Sequence, residues 1–359
     1  MPMVAPLKDS GCEVRLFGKD AALRRYRDEG LHGEDIMAQM SEVNADAVRS
    51  FLTTLSPALI LSGTSADDMT EKLIWSAANG LGIPCFAIVD QWVNYGIRFS
   101  QYSLADMEIY NARKEHPFLP RRIFVTDEQA KREMTRDGIP AERIAVTGNP
   151  YFEHITNKAA AVSPNRLEQI RTSLGIRKGD LVVAFASEPI LRMYGQNNYL
   201  GYTEKTIAEE IIKALMIIQA RSGRNITLLL RLHPKDEAGH YDDIKDTYGG
   251  KIAIVVDRGM QSYELPLVAD VVCGMYSMLL VEAALLKRPF MSVQIGLKRK
   301  DPFMLSRTGA VSTVGDRDTL VAELFSILFE GKVPSSAFRP LKTPIKNIMC
   351  ELGENVCKN

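Results

Sequence analysis

The sequence predicts an α/β protein made of two Rossmann-like parallel-sheet domains. Three observations carry this. Apolar runs of strand length alternate with helical stretches. The runs are apolar on both faces, as strands covered by helices on each side must be. The pattern fades near residue 157 and restarts near residue 181, and 359 residues exceed the size at which one core usually keeps growing. The expected division is a first domain over 1–155, a linker over 156–166 around the polar "NKAAAVSPNR", a second domain over 167–335, and a tail over 336–359.

In the first half the expected strands are "EVRLFG" (13–18), "ALILSG" (58–63), "CFAIVD" (85–90), "RIFVTD" (122–127) and "RIAVTG" (143–148). The helical stretches "DDMTEKLIWSAANGLG" (67–82) and "DEQAKREMTRDG" (127–138) both close on Gly, as helix ends commonly do. The second half runs "LVVAFAS" (181–187), a helix over 203–223, "ITLLLRL" (226–232), "KIAIVVD" (251–257), "ADVVCG" (269–274), a helix over 277–288, "PFMSVQI" (289–295) and a last helix over 316–331.

Forty-four basic residues balance forty-four acidic ones, so no global field attracts nucleic acid or an anionic membrane. An anionic ligand must then be held by local geometry. Five cysteines without a CxxC pair fit a reducing compartment better than a disulfide framework. No stretch has the length of a membrane-spanning helix, and the N-terminus lacks the regions of a signal peptide. A cytoplasmic protein with at most peripheral membrane contact is expected, of unspecified oligomeric state.

In open parallel sheets ligands collect at the carboxyl ends of strands, where loops meet helix N-termini. At those ends stand Ser62 to Ser65, Asp90, Thr126 to Glu128, Gly148 and Asn149, Ser187 and Glu188, Arg231 and His233, Asp257, and Gly274 to Ser277. Most are small or polar, which suits a central cleft that the two domains face.

In "GMYSMLLVEAA", Gly274 lets backbone approach a ligand, and Ser277 opens a helix whose free N–H groups suit a phosphate. Glu282, deeper in that helix, can accept from sugar or ribose hydroxyls. In "RLHP" (231–234), Arg231 offers a planar fork for phosphate oxygens, and His233 can donate to a phosphate or move a proton near neutral pH. The long loop "FASEPILRMYGQNNYLGYTE" (185–204) offers Glu188, Arg192, Tyr194 and Asn197 to a base or acceptor. In "VDQWVNYGIRF" (89–99), Asp90 can act as general base on an acceptor hydroxyl, Trp92 and Tyr95 can stack on a sugar, and Asn94 and Arg98 can bind its polar or anionic groups. A packed loop with a capping Asp is the plainer reading of that segment.

Taken in order, "RRIFVTDEQAKREMTRDGIPAERIAVTGNP" (121–150), "RLHP" (231–234), "ADVVCGMYSMLLVEAALLKRPF" (269–290) and the GxS of Gly274 to Ser277 resemble the GT-B architecture. Many nucleotide-sugar glycosyltransferases, UDP-N-acetylglucosamine 2-epimerases and CDP-glycerol glycerophosphotransferases share it. The resemblance implies that Ser277 and Glu282 lie against the nucleotide's phosphate and ribose, and that His233 serves the phosphate side of the cleft.

One departure stands out. GT-B first domains begin with a strand, a Gly-rich turn and a helix, whereas "MPMVAPLKDSG" reads as the end of that helix. The expectation is that the first strand is missing because the chain is truncated or mis-started, or that another element fills its place. DxD, GxGxxG and GxSxG motifs have no convincing candidate.

The function so implied is transfer of a glycosyl group from a nucleotide-activated donor, UDP-linked by resemblance, to a saccharide acceptor in surface polysaccharide or glycoconjugate assembly. No cofactor and no metal are expected. The alternatives are a 2-epimerase-like reaction and a non-catalytic nucleotide-sugar-binding homologue.

Overall fold

A computed structural model describes residues 2–40, 42–195, 199–332 and 338–356. Asn197 and Cys357 lie outside them. The chain divides into two compact units, Met1–His154 with Pro340–Asn359, and Ile155–Arg339.

The first unit holds β1 (Phe17–Gly18), β2 (Glu34–Asp35), β3 (Ile60–Ser62), β4 (Cys85–Ile88), β5 (Arg122–Val125) and β6 (Ile144–Val146). β3 to β6 form one parallel sheet in chain order. The strand expected over 13–18 shrinks to β1, which pairs with β2 in a separate two-stranded sheet. Its leading residues bury little: Glu13 and Arg15 are exposed, and Arg15 pairs with Glu34 at 2.6 Å. β3 therefore stands at an edge of the four-stranded sheet.

On one face of that sheet, Phe86, Phe124 and Ala145 pack against Met3 and Leu7 of the N-terminal segment and against Ile348 and Leu352. The last two belong to the helix Pro344–Val356. The segment expected as a tail is thus part of the first unit's core. The signal was present, since Ile345, Ile348, Met349 and Leu352 recur at helical spacing. Gly148, at φ +86°, lets this segment approach: a Cβ there would lie 2.9 Å from Pro344 Cβ.

The segment 156–166, expected as a linker, is helical to Ala160 and again from Pro164. "NKAAA" continues a helix because Ala and Lys are strong helix formers, and Ser163–Pro164 is a cap followed by proline in the first turn. Ser163 Oγ accepts from the Arg166 N–H at 3.2 Å.

The second unit holds β7 (Leu181–Ala186), β8 (Ile226–Arg231), β9 (Ala253–Asp257), β10 (Val271–Gly274), β11 (Phe290–Val293) and β12 (Thr313–Val314). All pairings are parallel, in the order β12-β11-β10-β7-β8-β9. The sheet core is apolar: Leu228, Leu229 and Leu230 are each fully buried, worth about 1.5–3 kcal/mol apiece. The helix Glu204–Ser222 covers it, started by the Thr203 cap and stopped by Gly223 in the left-handed region. No helix of the described residues is long and apolar enough to cross a membrane.

Candidate functional site

The strand order of the second unit places its site. The chain runs outward from β7 through β8 to β9, then crosses to β10 and runs outward through β11 to β12. The order reverses between β7 and β10, and such a switch point opens a crevice at the carboxyl ends of the strands. Ala186 and Gly274 are register partners there. The residues that follow them, Ser187–Glu188 and Met275–Ser277, form the rim.

Glu188 is 7% exposed, and its Oε2 accepts from the backbone N–H of Met275 at 3.3 Å and of Tyr276 at 2.9 Å. Burial pushes this carboxyl up to about 8 against the pull of those N–H groups, and the Glu204 charge adds to the rise. Ser277 caps the helix Met278–Leu285, its Oγ accepting from the Leu279 N–H at 3.3 Å. Glu282 is buried within that helix rather than solvated. At Gly274 a Cβ would meet the Ala186 carbonyl oxygen at 3.4 Å, an ordinary contact, so packing of β10 on β7 does not by itself call for glycine there. Beneath the loop, Met275 O accepts from Ser292 Oγ at 2.6 Å and from Gln294 Nε2 at 3.4 Å. Gln294 also accepts from Tyr202 Oη at 2.9 Å. None of these supports was singled out from the sequence, because they lie far from it along the chain.

The end of β8 separates the two residues of the RLHP motif. Arg231 and Asp257 are register partners on β8 and β9, and their side chains form a largely buried ion pair. In this pair Arg231 holds the ends of two strands together, a use that the sequence reading did not foresee. His233 is held differently. Its Nδ1 accepts from the Lys235 N–H at 3.1 Å, so the neutral ring carries its proton on Nε2 and can only donate there. Burial pushes the imidazole down to about 4, Lys235 and Arg192 push the same way, and Asp236 opposes them. Arg192 is exposed and donates to Lys235 O at 2.8 Å.

Asp236 is the residue that sequence reasoning missed. It is 6% exposed, and its Oδ2 accepts from Ser187 Oγ at 2.8 Å and from the His233 N–H at 2.9 Å. Ser187 also shares a hydrogen bond with Tyr241 Oη at 2.7 Å. The turn after β8 is thereby tied to the end of β7, beside Glu188. The structure thus brings Glu188, Gly274, Ser277 and, through Asp236, His233 to one rim. Tyr194 stacks on Tyr199 at 5.2 Å.

In the first unit the loop after β4 is turned inward. Trp92 is 3% exposed, stacks on Phe152 at 5.7 Å and donates its indole N–H to Asp127 Oδ2 at 2.6 Å. Tyr95 is also buried. Both rings are buried where faces for sugar stacking were expected, Trp92 against Phe152 of the helix that follows β6. Asn94 adopts φ 56° and shapes the turn. Arg98 is 6% exposed and donates to Thr64 O at 2.9 Å and Gln91 Oε1 at 3.2 Å. Its expected role on a substrate anion gives way to joining the ends of β3 and β4. Asp90 remains exposed; Asn149 Nδ2 donates to its backbone carbonyl at 3.3 Å.

A second missed residue, Glu71, lies in the first turn of the helix Thr70–Leu81. Burial pushes its carboxyl up to about 7, Asp68 and Asp90 add to this, and the Ser65 N–H and Arg98 oppose it. Its Oε1 reaches back to the strand end, 3.6 Å from where a Cβ on Gly63 would stand. Sequence reading passed over it because a Glu in a first helical turn is ordinarily solvated.

Residues 125–299 match the family described as CDP-Glycerol:Poly(glycerophosphate) glycerophosphotransferase. No curated protein sequence matches the chain. Solved structures match over nearly its whole length. UDP-GlcNAc 2-epimerase from Methanocaldococcus jannaschii has TM-score 0.64 at 14% identity, covering 98% of this chain and 95% of that one. The Neisseria meningitidis UDP-GlcNAc 2-epimerase bound to UDP-GlcNAc has TM-score 0.65 at 13% identity, covering 100% and 95%. A glycosyltransferase from Rickettsia africae has TM-score 0.57 at 11% identity, covering 100% and 88%. These likenesses establish a GT-B-like fold.

Proposed function

We propose that this GT-B-like chain binds a nucleotide-activated sugar, UDP-linked, and transfers its glycosyl group to a saccharide acceptor in surface polysaccharide or glycoconjugate assembly. The observation that carries the reading is the switch-point rim: buried Glu188 seated on the loop N–H groups of Met275 and Tyr276, the Ser277-capped helix, and a neutral His233 offering Nε2–H. Such a rim suits a diphosphate, whose negative charge grows as the sugar–phosphate bond breaks. The N-terminus of the Ser277-capped helix, His233 and Arg192 would stabilise that leaving group without calling on a metal or cofactor, and Glu282 would meet the ribose. On the acceptor side, exposed Asp90 would take the hydroxyl proton. The free cysteines Cys12, Cys85, Cys273 and Cys350 support a cytoplasmic setting.

A 2-epimerase-like reaction is favoured by one observation of its own. Asp90 and Glu71 both stand near strand ends of the first unit, where the Asp90 charge contributes to raising Glu71 towards neutrality, and epimerisation needs both a base and an acid. The family match of residues 125–299 adds CDP-glycerol to the substrates worth offering.

Purified protein incubated with UDP-sugars and CDP-glycerol, with and without saccharide or polyol acceptors, separates these readings. Nucleotide release that requires an acceptor supports transfer, an epimer formed without acceptor supports the second reading, and binding without turnover supports a binding homologue. His233→Ala should weaken UDP binding at least tenfold while leaving the fold intact. An unchanged Kd would remove the rim as the nucleotide site.

A further inference from the structure

The loop N–H groups at the switch point already have an occupant. One oxygen of Glu188 takes the N–H groups of both Met275 and Tyr276. An ionised carboxylate there would meet a phosphate as one anion meets another, and both would compete for the same donors.

Glu188 has little freedom to leave. Ser187 on one side is tied to Asp236 and Tyr241, Pro189 follows on the other, and the Ile190 N–H closes on Glu188 O at 2.8 Å. The groups facing it offer no alternative charge partner. They are the Glu204 carboxylate, which accepts from the Leu191 N–H at 3.2 Å with His240 Nε2 at 3.2 Å on its other oxygen, and the phenols of Tyr202, Tyr241 and Tyr276. Burial pushes all three phenols upward, so they stay neutral alongside it.

We propose that Glu188 is a specificity-determining residue that holds the ligand as a neutral acid: its carbonyl oxygen keeps the loop N–H groups while its O–H donates to a phosphoryl oxygen of the nucleotide. The proton comes from solvent, and no other bond is made or broken. The proposal rests on the nucleotide reading of this rim. Its consequence is that the site takes a phosphate only with a proton on Glu188, so binding in alkaline solution takes up one proton. The buried carboxyl, pushed up to about 8 in the absence of ligand, sets the window in which this shows.

Calorimetric titration of the full chain with UDP at pH 7 and pH 9, in buffers of differing ionisation enthalpy, tests it. Wild-type affinity should fall about tenfold from pH 7 to pH 9, with close to one proton taken up per UDP bound at pH 9. In Glu188→Gln, whose amide donates at any pH, that extra fall and the proton uptake should both vanish. Equal pH ratios for the two proteins, or proton release, would overturn the proposal while leaving the nucleotide site in place. Failure of wild-type protein to bind UDP at either pH would instead overturn the nucleotide reading, and the proposal with it.

Discussion

Asp236 Oδ2 accepts the backbone N–H of His233 at 2.9 Å, so the position of the histidine is set by a carboxylate three residues later. The same oxygen takes Ser187 Oγ at 2.8 Å. Replacing Asp236 by Ala would leave two donors unmet in a buried place, at about 1–3 kcal/mol each. Urea unfolding should show the loss, and UDP binding should weaken because His233 is no longer fixed. Asp236→Asn, which keeps one acceptor oxygen, should fall between Ala and wild type.

The Arg231–Asp257 pair makes the opposite prediction for binding. Arg231→Met strands a buried carboxylate and should destabilise the second unit by about 3–5 kcal/mol. Replacing both partners by apolar residues should recover most of that. UDP affinity of the double variant, measured below its unfolding temperature, should stay within about twofold of wild type. A tenfold loss would return Arg231 to the phosphate site.

Glu71 should make the first unit sensitive to alkali. Its folded-state carboxyl is raised from 4.5 to about 7, so the unfolded chain ionises first. The contribution of its neutral form is complete below pH 4.5 and is lost as pH rises through about 7. Stability measured between pH 5 and pH 8 should therefore decline less in Glu71→Gln than in wild type. Equal slopes would show that Glu71 ionises normally.

Gly96 should tolerate no side chain. A Cβ there would land on the Tyr110 hydroxyl and the Asp137 carboxylate and lie 2.6 Å from His116 Nε2. Those groups are locked together: Tyr110 Oη donates to Asp137 at 2.5 Å, and the Gly96 N–H donates to the same oxygen at 2.9 Å. Gly96→Ala should cost about 1–3 kcal/mol through overpacking, read as a lower denaturation midpoint. Tyr110→Phe in the same background should relieve part of it.

The sheet was legible because buried parallel strands are written as uninterrupted apolar runs, and most helix ends were legible because Gly82, Gly223 and the Thr203 cap act through their immediate neighbours. The second-unit rim was legible for the same reason: Gly274, Ser277 and His233 sit where a strand stops. The first-unit loop was not. "VDQWVNYGIRF" has the composition of a sugar-binding loop, yet Trp92, Tyr95 and Arg98 all turn inward, because whether an aromatic or a cation is core or surface depends on what packs against it from elsewhere in the chain.

By itself, then, the sequence determined the α/β alternation, the two sheets and which strand ends are polar, since these follow from periodicity and local capping. The tertiary structure alone decided which polar groups are spent. It pairs Arg231 with Asp257 across two strands and sets Asp236 beneath His233 and Ser187. It folds residues 344–356 back onto the first sheet, and it seats Glu188 on N–H groups some ninety residues away. Each of these depends on burial and on partners distant in the chain, and desolvation, which fixes both pairing and protonation, is a property of the packed neighbourhood rather than of the residue.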